Sequence, residues 1–212
     1  MTDAALERRI AEIVGAVARQ ALADRGRTHV AVVDDGSPEA ALAIRLLAGQ
    51  LGGNRVGRVT ADTPLVDEVA QEVGTDRERA EEEVQRMLAR LLDDALPAHP
   101  ANKTALLLGG ELPPEPLLPL GDLWATDVVA LQGGWSAPGE VEMLAEAAGG
   151  IDALDGALRR LIDGRDPAAL DGLDPDVAAR VRSMLAAGSA SRRHPRIVPK
   201  LGARTLCADL YE

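Results

Sequence analysis

The sequence has no phenylalanine, and its aromatic residues are Trp124, Trp135 and Tyr211 alone. Three scattered rings cannot form the strip of stacking platforms on which single-stranded nucleic acids lie. Cysteine is equally scarce. Cys207 stands by itself, which leaves no intramolecular disulfide frame and no multi-cysteine zinc site. His29, His99 and His194 lie far apart in the chain and lack metal-ligand spacing. No run approaches the roughly 18 apolar residues that a membrane-spanning helix needs. Met1 to Glu7 is polar, without the basic stretch and apolar run of a secretory leader. No membrane contact is expected, and the cytoplasm is the default location. Lysine is confined to Lys103 and Lys200 among 23 basic residues, an arginine bias read as genome composition rather than function.

What remains is aliphatic and acidic. The 212 residues are 46% apolar, enough to bury a core, which must be leucine, valine, isoleucine and alanine. The 34 acidic residues outnumber the 23 basic ones, for a net charge of −11. That field repels phosphate and argues against a nucleic-acid partner.

Periodicity organises the chain as a single domain over 1–212. Apolar residues at three- and four-residue steps mark a helix over 4–23, closed by Gly26. His29 to Val33 is a short apolar run that suits a buried strand. Asp34 to Pro38 forms a turn, with Ser37 as helix N-cap and Pro38 at the first helical position. A helix follows over 39–51, ended by Gly52-Gly53, and a second strand over 55–59. Strand, helix and strand in about thirty residues make a βαβ unit with a parallel sheet.

Helices are predicted over 64–73 and 77–96, the acidic start of the latter forming a solvated face. Pro97 to Pro100 is a break. Thr104 to Leu108, followed by Gly109-Gly110, is read as the third strand, with Glu111 beyond it; the proline-rich 112–119 is a loop. A helix over 123–131 takes Asp122 as its N-cap, and helices follow at 140–147, 151–162 and 175–186, the last capped by Asp174. The chain thus divides into the amino-terminal helix, an α/β core over about 28–131, a helical part over about 138–188 and a basic, irregular tail over 189–212. The economical fold is a Rossmann-like three-layer α/β sandwich around a small parallel sheet. In such sheets ligands bind beyond the carboxyl ends of the strands, at the switch point, so the Asp34–Pro38 turn is the candidate site.

Four stretches in order resemble the ammonia-dependent NAD synthetases of the ATP pyrophosphatase group. VAVVDDGSPEAALAIRLLAGQLGGNRV sits where that family carries its SGGxDS phosphate loop. NKTALLLG, Asn102 to Gly109, is similar to its NK[ST]E-L-L-L-G run. PLGDLWATDVVAL, Pro119 to Leu131, is similar to P-[IL]-G-D-L-x-K-T-x-V-x-x-L. The stretch from Ile151 to Leu185, followed by Ser191-Arg192-Arg193, is similar to its ID-x-x-L segment, acidic helix and final Lys-Arg-Arg.

The resemblance implies a Rossmann-like fold, a tight homodimer, and ATP with magnesium as cofactors for amidating deamido-NAD through an acyl-adenylate. Such chemistry needs a pyrophosphate cradle of backbone N–H groups at a helix start. It also assigns nucleotide contacts to Gly36, Ser37, Asn102, Lys103, Thr104, Asp122, Arg192 and Arg193.

The departures fall where the chemistry is. SGGxDS aligns with Asp34-Asp35-Gly36-Ser37-Pro38-Glu39, and only Gly36 is kept in place. Like charges 4 Å apart repel by about 4 kcal/mol at an effective dielectric near 20, so Asp34 and Asp35 oppose a polyanion. They become metal ligands only if the loop has been repurposed. Pro38 removes an N–H donor, and Glu39 replaces a hydroxyl with an acid. The magnesium-linked glutamate of the family is Ala105, and the lysine of the third motif is Ala125.

Each residue also has a plain structural role open to it. Asp34 and Asp35 fit solvated turn acids, Asn102-Lys103-Thr104 a surface loop, Asp122 a helix cap, and Arg192-Arg193 a solvated basic turn. A non-catalytic homologue, a partner subunit for an active synthetase, is the leading expectation. The alternatives are an active synthetase with an altered loop and a binding module for another nucleotide or metabolite.

Overall fold

The computed structural model describes residues 3–60, 94–109, 117–137, 139–188 and 196–201. The predicted helix over 64–73, most of that over 77–96, Gly110 and Glu111, the 112–116 part of the proline-rich loop, and Arg192, Arg193 and Cys207 lie outside them.

Helix α1 (Asp3–Asp24) buries Ile10, Val14, Ala18, Ala21 and Leu22, one stripe at helical spacing. The stripe packs on α2 (Pro38–Leu51) and on β1 (His29–Asp34). The two helices lie close together at Gly15, where an added Cβ would collide with the Gln50 side chain.

A 3-10 turn (Gly53–Arg55) leads into β2 (Val56–Thr60), and β3 (Ala95–Ala98) completes a parallel sheet of order β2-β1-β3. Val30 pairs with Val56 on one side and with Leu96 on the other. Val30 and Val32 enter the core shared with α1 and α2, while Ala31, on the opposite face, is buried too. The central strand is thus covered on both sides, as parallel strands are.

The third strand is not where the sequence pattern places it. Thr104 to Leu108 belongs to helix α3 (Lys103–Leu108), capped by Asn102, whose Oδ1 accepts from the Ala105 N–H at 2.9 Å. Leu106, Leu107 and Leu108 are all buried because protein surrounds this helix on every side, and a short apolar run cannot distinguish that from a buried strand. The strand instead lies just before the Asn-Lys pair, where the sequence pattern gives Ala95 and Leu96 to the end of a helix and Pro97 to a break. Pro97 is tolerated because alternate strand residues face opposite neighbours. Its carbonyl accepts from Leu117, so its missing N–H points away from β1 and costs the β1–β3 ladder nothing. Single bridges from Ala98 to Leu117 and from Leu117 to Ile197 continue the pairing outward.

Helices α4 (Ala125–Gln132), α5 (Gly139–Ala147), α6 (Ile151–Ile162) and α7 (Pro175–Ala187) follow. With α3 they enclose a second core around Leu107, Trp124, Leu154, Leu158 and Val181. Each fully buried leucine there contributes about 2 kcal/mol. Asp174 caps α7, as its sequence position predicts. Asp122 does not cap α4. The helix starts two residues later, at the N-cap Trp124, whose N–H is taken by the Asp127 side chain at 2.9 Å. No helix among the described residues is long and apolar enough to cross a membrane.

Candidate functional site

The chain runs from β1 through α2 to β2 on one side, then returns to β3 on the other. The switch point therefore lies between the carboxyl ends of β1 and β3. A cavity of about 290 Å3 opens there, bordered by the Asp35–Glu39 turn, by His99 to Asn102 and by Ser136.

The turn is built to bind itself. Gly36 has φ +77°, the left-handed region that accounts for its glycine. Its N–H donates to Asp34 Oδ1 at 3.2 Å, and the Ser37 N–H donates to Asp35 Oδ1 at 3.0 Å. Ser37 caps α2, its Oγ accepting from the Ala40 N–H at 3.1 Å. Pro38 has no N–H to offer.

Glu39 fills what is left. It is 3% exposed. Its Oε1 accepts from Asn102 Nδ2 at 2.8 Å, both carboxylate oxygens accept from the Ser136 N–H at 3.1 Å, and Oε2 accepts from the Ser136 hydroxyl at 3.0 Å. The start of α2, where a helix favours an anion, thus holds a carboxylate of its own. Asp34 is half-buried and Asp35 exposed, and each accepts from one N–H of the turn.

Asn102, Lys103 and Thr104 are not a surface loop; all three are fully buried. Asn102 faces the corner, but the next two residues turn away from it. Lys103 Nζ lies 3.4 Å from Asp122 Oδ1, 3.2 Å from Asp163 Oδ1 and 4.5 Å from the centre of the Trp124 ring. Asp122 also accepts from the Leu201 N–H at 2.6 Å. Thr104 Oγ1 donates to Asp155 Oδ1 at 2.6 Å and accepts from the Ala125 N–H at 3.0 Å. Asp155 Oδ2 accepts from the Thr126 N–H at 2.8 Å.

Burial pushes the Asp155 carboxyl above the ordinary aspartate range, opposed by the hydrogen bonds from Thr104 and Thr126 and by the nearby Arg159 charge. Arg159 Nη2 in turn donates to Thr126 Oγ1 at 3.0 Å and to Asp127 Oδ1 at 2.8 Å. The sequence-predicted residues therefore separate into two places. Ser37 and Asn102 line the corner and Gly36 sits in the turn beside it, while Lys103, Thr104 and Asp122 tie α3, α4 and α6 together.

Sequence reasoning overlooked Ser136, Asp155, Arg159 and Asp163. Asp155 carried a legible signal: it sits beside Leu154 and Leu158 on the buried stripe of α6, where a carboxylate needs partners. Ser136 carried none, because its role depends on how the loop after α4 folds back over Pro38 at Gly134.

The Asp34, Asp35 and Glu39 carboxylates of the corner are turned onto the protein's own N–H, hydroxyl and amide donors.

These features define a parallel α/β protein with a cavity at the β1–β3 switch point. No protein-family model matches the chain, and no curated protein does. Among solved structures the chain is similar to the NH3-dependent NAD synthetase from Campylobacter jejuni subsp. jejuni NCTC 11168 in complex with the nitrate ion. The TM-score is 0.54 at 16% identity, over 93% of this chain and 99% of that one. The glutamine-dependent NAD+ synthetase from Acinetobacter baumannii in complex with adenosine diphosphate (ADP) matches more loosely, with a TM-score of 0.42 at 17% identity over 97% of this chain and 48% of its own. The chain has the NAD synthetase fold. At such identity the likeness speaks for the fold and not for the chemistry.

Proposed function

We propose that this protein is a non-catalytic homologue of NAD synthetase, pairing with itself as a homodimer or serving as a partner subunit for an active synthetase in NAD biosynthesis. The observation that supports the reading is the Glu39 carboxylate, buried at the start of α2 and held by Asn102 and Ser136. A triphosphate entering the corner would meet that carboxylate, would find the Gly36, Ser37 and Ala40 N–H groups already engaged, and would lack the donor lost at Pro38. Without a pyrophosphate cradle nothing stabilises the charge that develops on the leaving group, and amidation has no electrostatic support.

The test is pyrophosphate release from the purified chain supplied with ATP, magnesium, deamido-NAD and ammonia. The reading expects no release above a protein-free control, and release that depends on both deamido-NAD and ammonia contradicts it. Light scattering tests the pairing: a particle of twice the 22.2 kDa chain mass is expected, and a monomer at all concentrations removes the homodimer.

A further inference from the structure

A larger cavity, about 460 Å3, lies away from the corner between the start of α1, α4 and the end of α6. Its volume falls in the range of small-molecule sites. One wall is largely apolar, formed by Leu6, Ile10 and Ile13 of α1 with Leu131 of α4, and carries the exposed Arg9 at its side; the other carries Arg159, Asp163, Asp127 and Asp122 beside Trp124.

The polar wall is only partly used by the protein. Arg159 spends Nη2 on Thr126 and Asp127, and its Nε and Nη1 have no acceptor among the described residues. Its side chain is 41% exposed. Asp163 engages Lys103 through Oδ1, its Oδ2 has no donor among the described residues, and its side chain is 25% exposed. Asp163 is the C-cap of α6 and keeps right-handed helical geometry. Arg159 and Asp163, four residues apart, therefore share one face, with Cβ atoms about 5–6 Å apart.

A guanidinium with its Nε and Nη1 donors to spare among the described residues thus stands beside a carboxylate, and both face a largely apolar wall. A simple anion would take the guanidinium but lie against Asp163 and Asp127. A simple cation would take Asp163 but lie against Arg159. An α-amino acid carries both charges, separated by a single carbon, and its side chain can cover the wall.

We propose that this cavity binds a free amino acid with a bulky apolar side chain. Its carboxylate sits on Arg159, its ammonium group on Asp163, and its side chain against Leu6, Ile10 and Ile13. The end of α6 adds a negative helix terminus that favours the ammonium group. The inference does not rest on the reading of the corner, since the two cavities share no residue.

The experiment is calorimetric titration of the full chain with leucine and three truncated probes. Isocaproate lacks the ammonium group, isoamylamine lacks the carboxylate, and glycine lacks the side chain. Saturable leucine binding at least about tenfold tighter than each probe is expected. No heat with leucine at millimolar concentration overturns the proposal. Equal binding of isocaproate or isoamylamine also overturns it, because one charge then suffices. Arg159→Gln should abolish leucine binding. Because Arg159 also braces α4, Leu6→Gln supplies the independent check: on a 38% exposed residue, it should weaken leucine binding at least about threefold with Tm unchanged. Unaltered affinity in Leu6→Gln contradicts the assigned wall.

Discussion

Glu39 and Ser136, 97 residues apart, are joined across the corner between β1 and β3: both oxygens of the Glu39 carboxylate accept from the Ser136 N–H at 3.1 Å, and the Ser136 hydroxyl adds a third bond at 3.0 Å. Asn102 binds the same carboxylate from α3. One side chain therefore joins the start of α2, the cap of α3 and the loop after α4. An acid in place of a hydroxyl at this position both fills an anion-favouring site and ties three segments together.

Glu39→Ala should therefore destabilise the fold. The substitution leaves the Ser136 N–H and hydroxyl and the Asn102 amide without their acceptor. Stranded donors of this kind cost about 2 kcal/mol or more in total. Urea unfolding measures the loss, and a change below about 0.5 kcal/mol, the size of a surface substitution, would contradict the geometry.

Lys103 lies between Asp122 and Asp163 with its side chain 1% exposed. Lys103→Met preserves volume but leaves two carboxylates without their cation. Breaking a buried pair by removing one partner costs about 3–5 kcal/mol. Denaturant midpoints of wild type and variant, at equal slope, give the number. A near-neutral result would return Lys103 to the surface role its sequence position first suggests.

The raised pKa of Asp155 sets a sign for the pH dependence. A carboxyl that holds its proton more tightly when folded than when unfolded stabilises the fold fully below its ordinary value of 3.8. That contribution is lost as pH rises through the higher folded pKa. Asp155→Asn removes the titration. The difference in Tm, variant minus wild type, should therefore become more positive between pH 4 and neutrality, as thermal melts at several pH values will measure. A difference that is flat or falls with pH contradicts the assignment.

Gly36 tests the turn separately from its electrostatics. Its φ is +77° and an added Cβ would meet nothing within 4 Å. Gly36→Ala should cost about 1–2 kcal/mol from backbone conformation alone, and Gly36→Asn less, because asparagine visits the left-handed region more readily. Equal stabilities of the three proteins would remove the positive φ.

Much of this architecture is legible in the residues. The Val30–Val33 run, the Ser37-Pro38 cap and the stripes of α1 and α6 each carry local signals that the fold keeps. The third strand was illegible because its proline reads as a break, and its tolerance depends on which neighbour each strand residue faces. The helix at Lys103 was illegible because an apolar run of this length has the same pattern in either state. At the site, the family pattern brought Gly36, Ser37 and Asn102 to one corner, but it did not show that Lys103 and Thr104 point elsewhere. That direction follows from the cap at Asn102 and from partners on α6, more than fifty residues away. Ser136 was beyond reach for the same reason: a backbone N–H in a loop has no sequence signature.

In the proposed reading the corner's own acids exclude a nucleotide. Calorimetric titration of ATP with magnesium into wild type, and into a variant carrying Asp34→Ser, Asp35→Gly, Pro38→Asp and Glu39→Ser, tests it most directly. The account predicts no heat of binding for wild type at millimolar ATP and a saturable isotherm for the fourfold variant. Micromolar binding by wild type would contradict it.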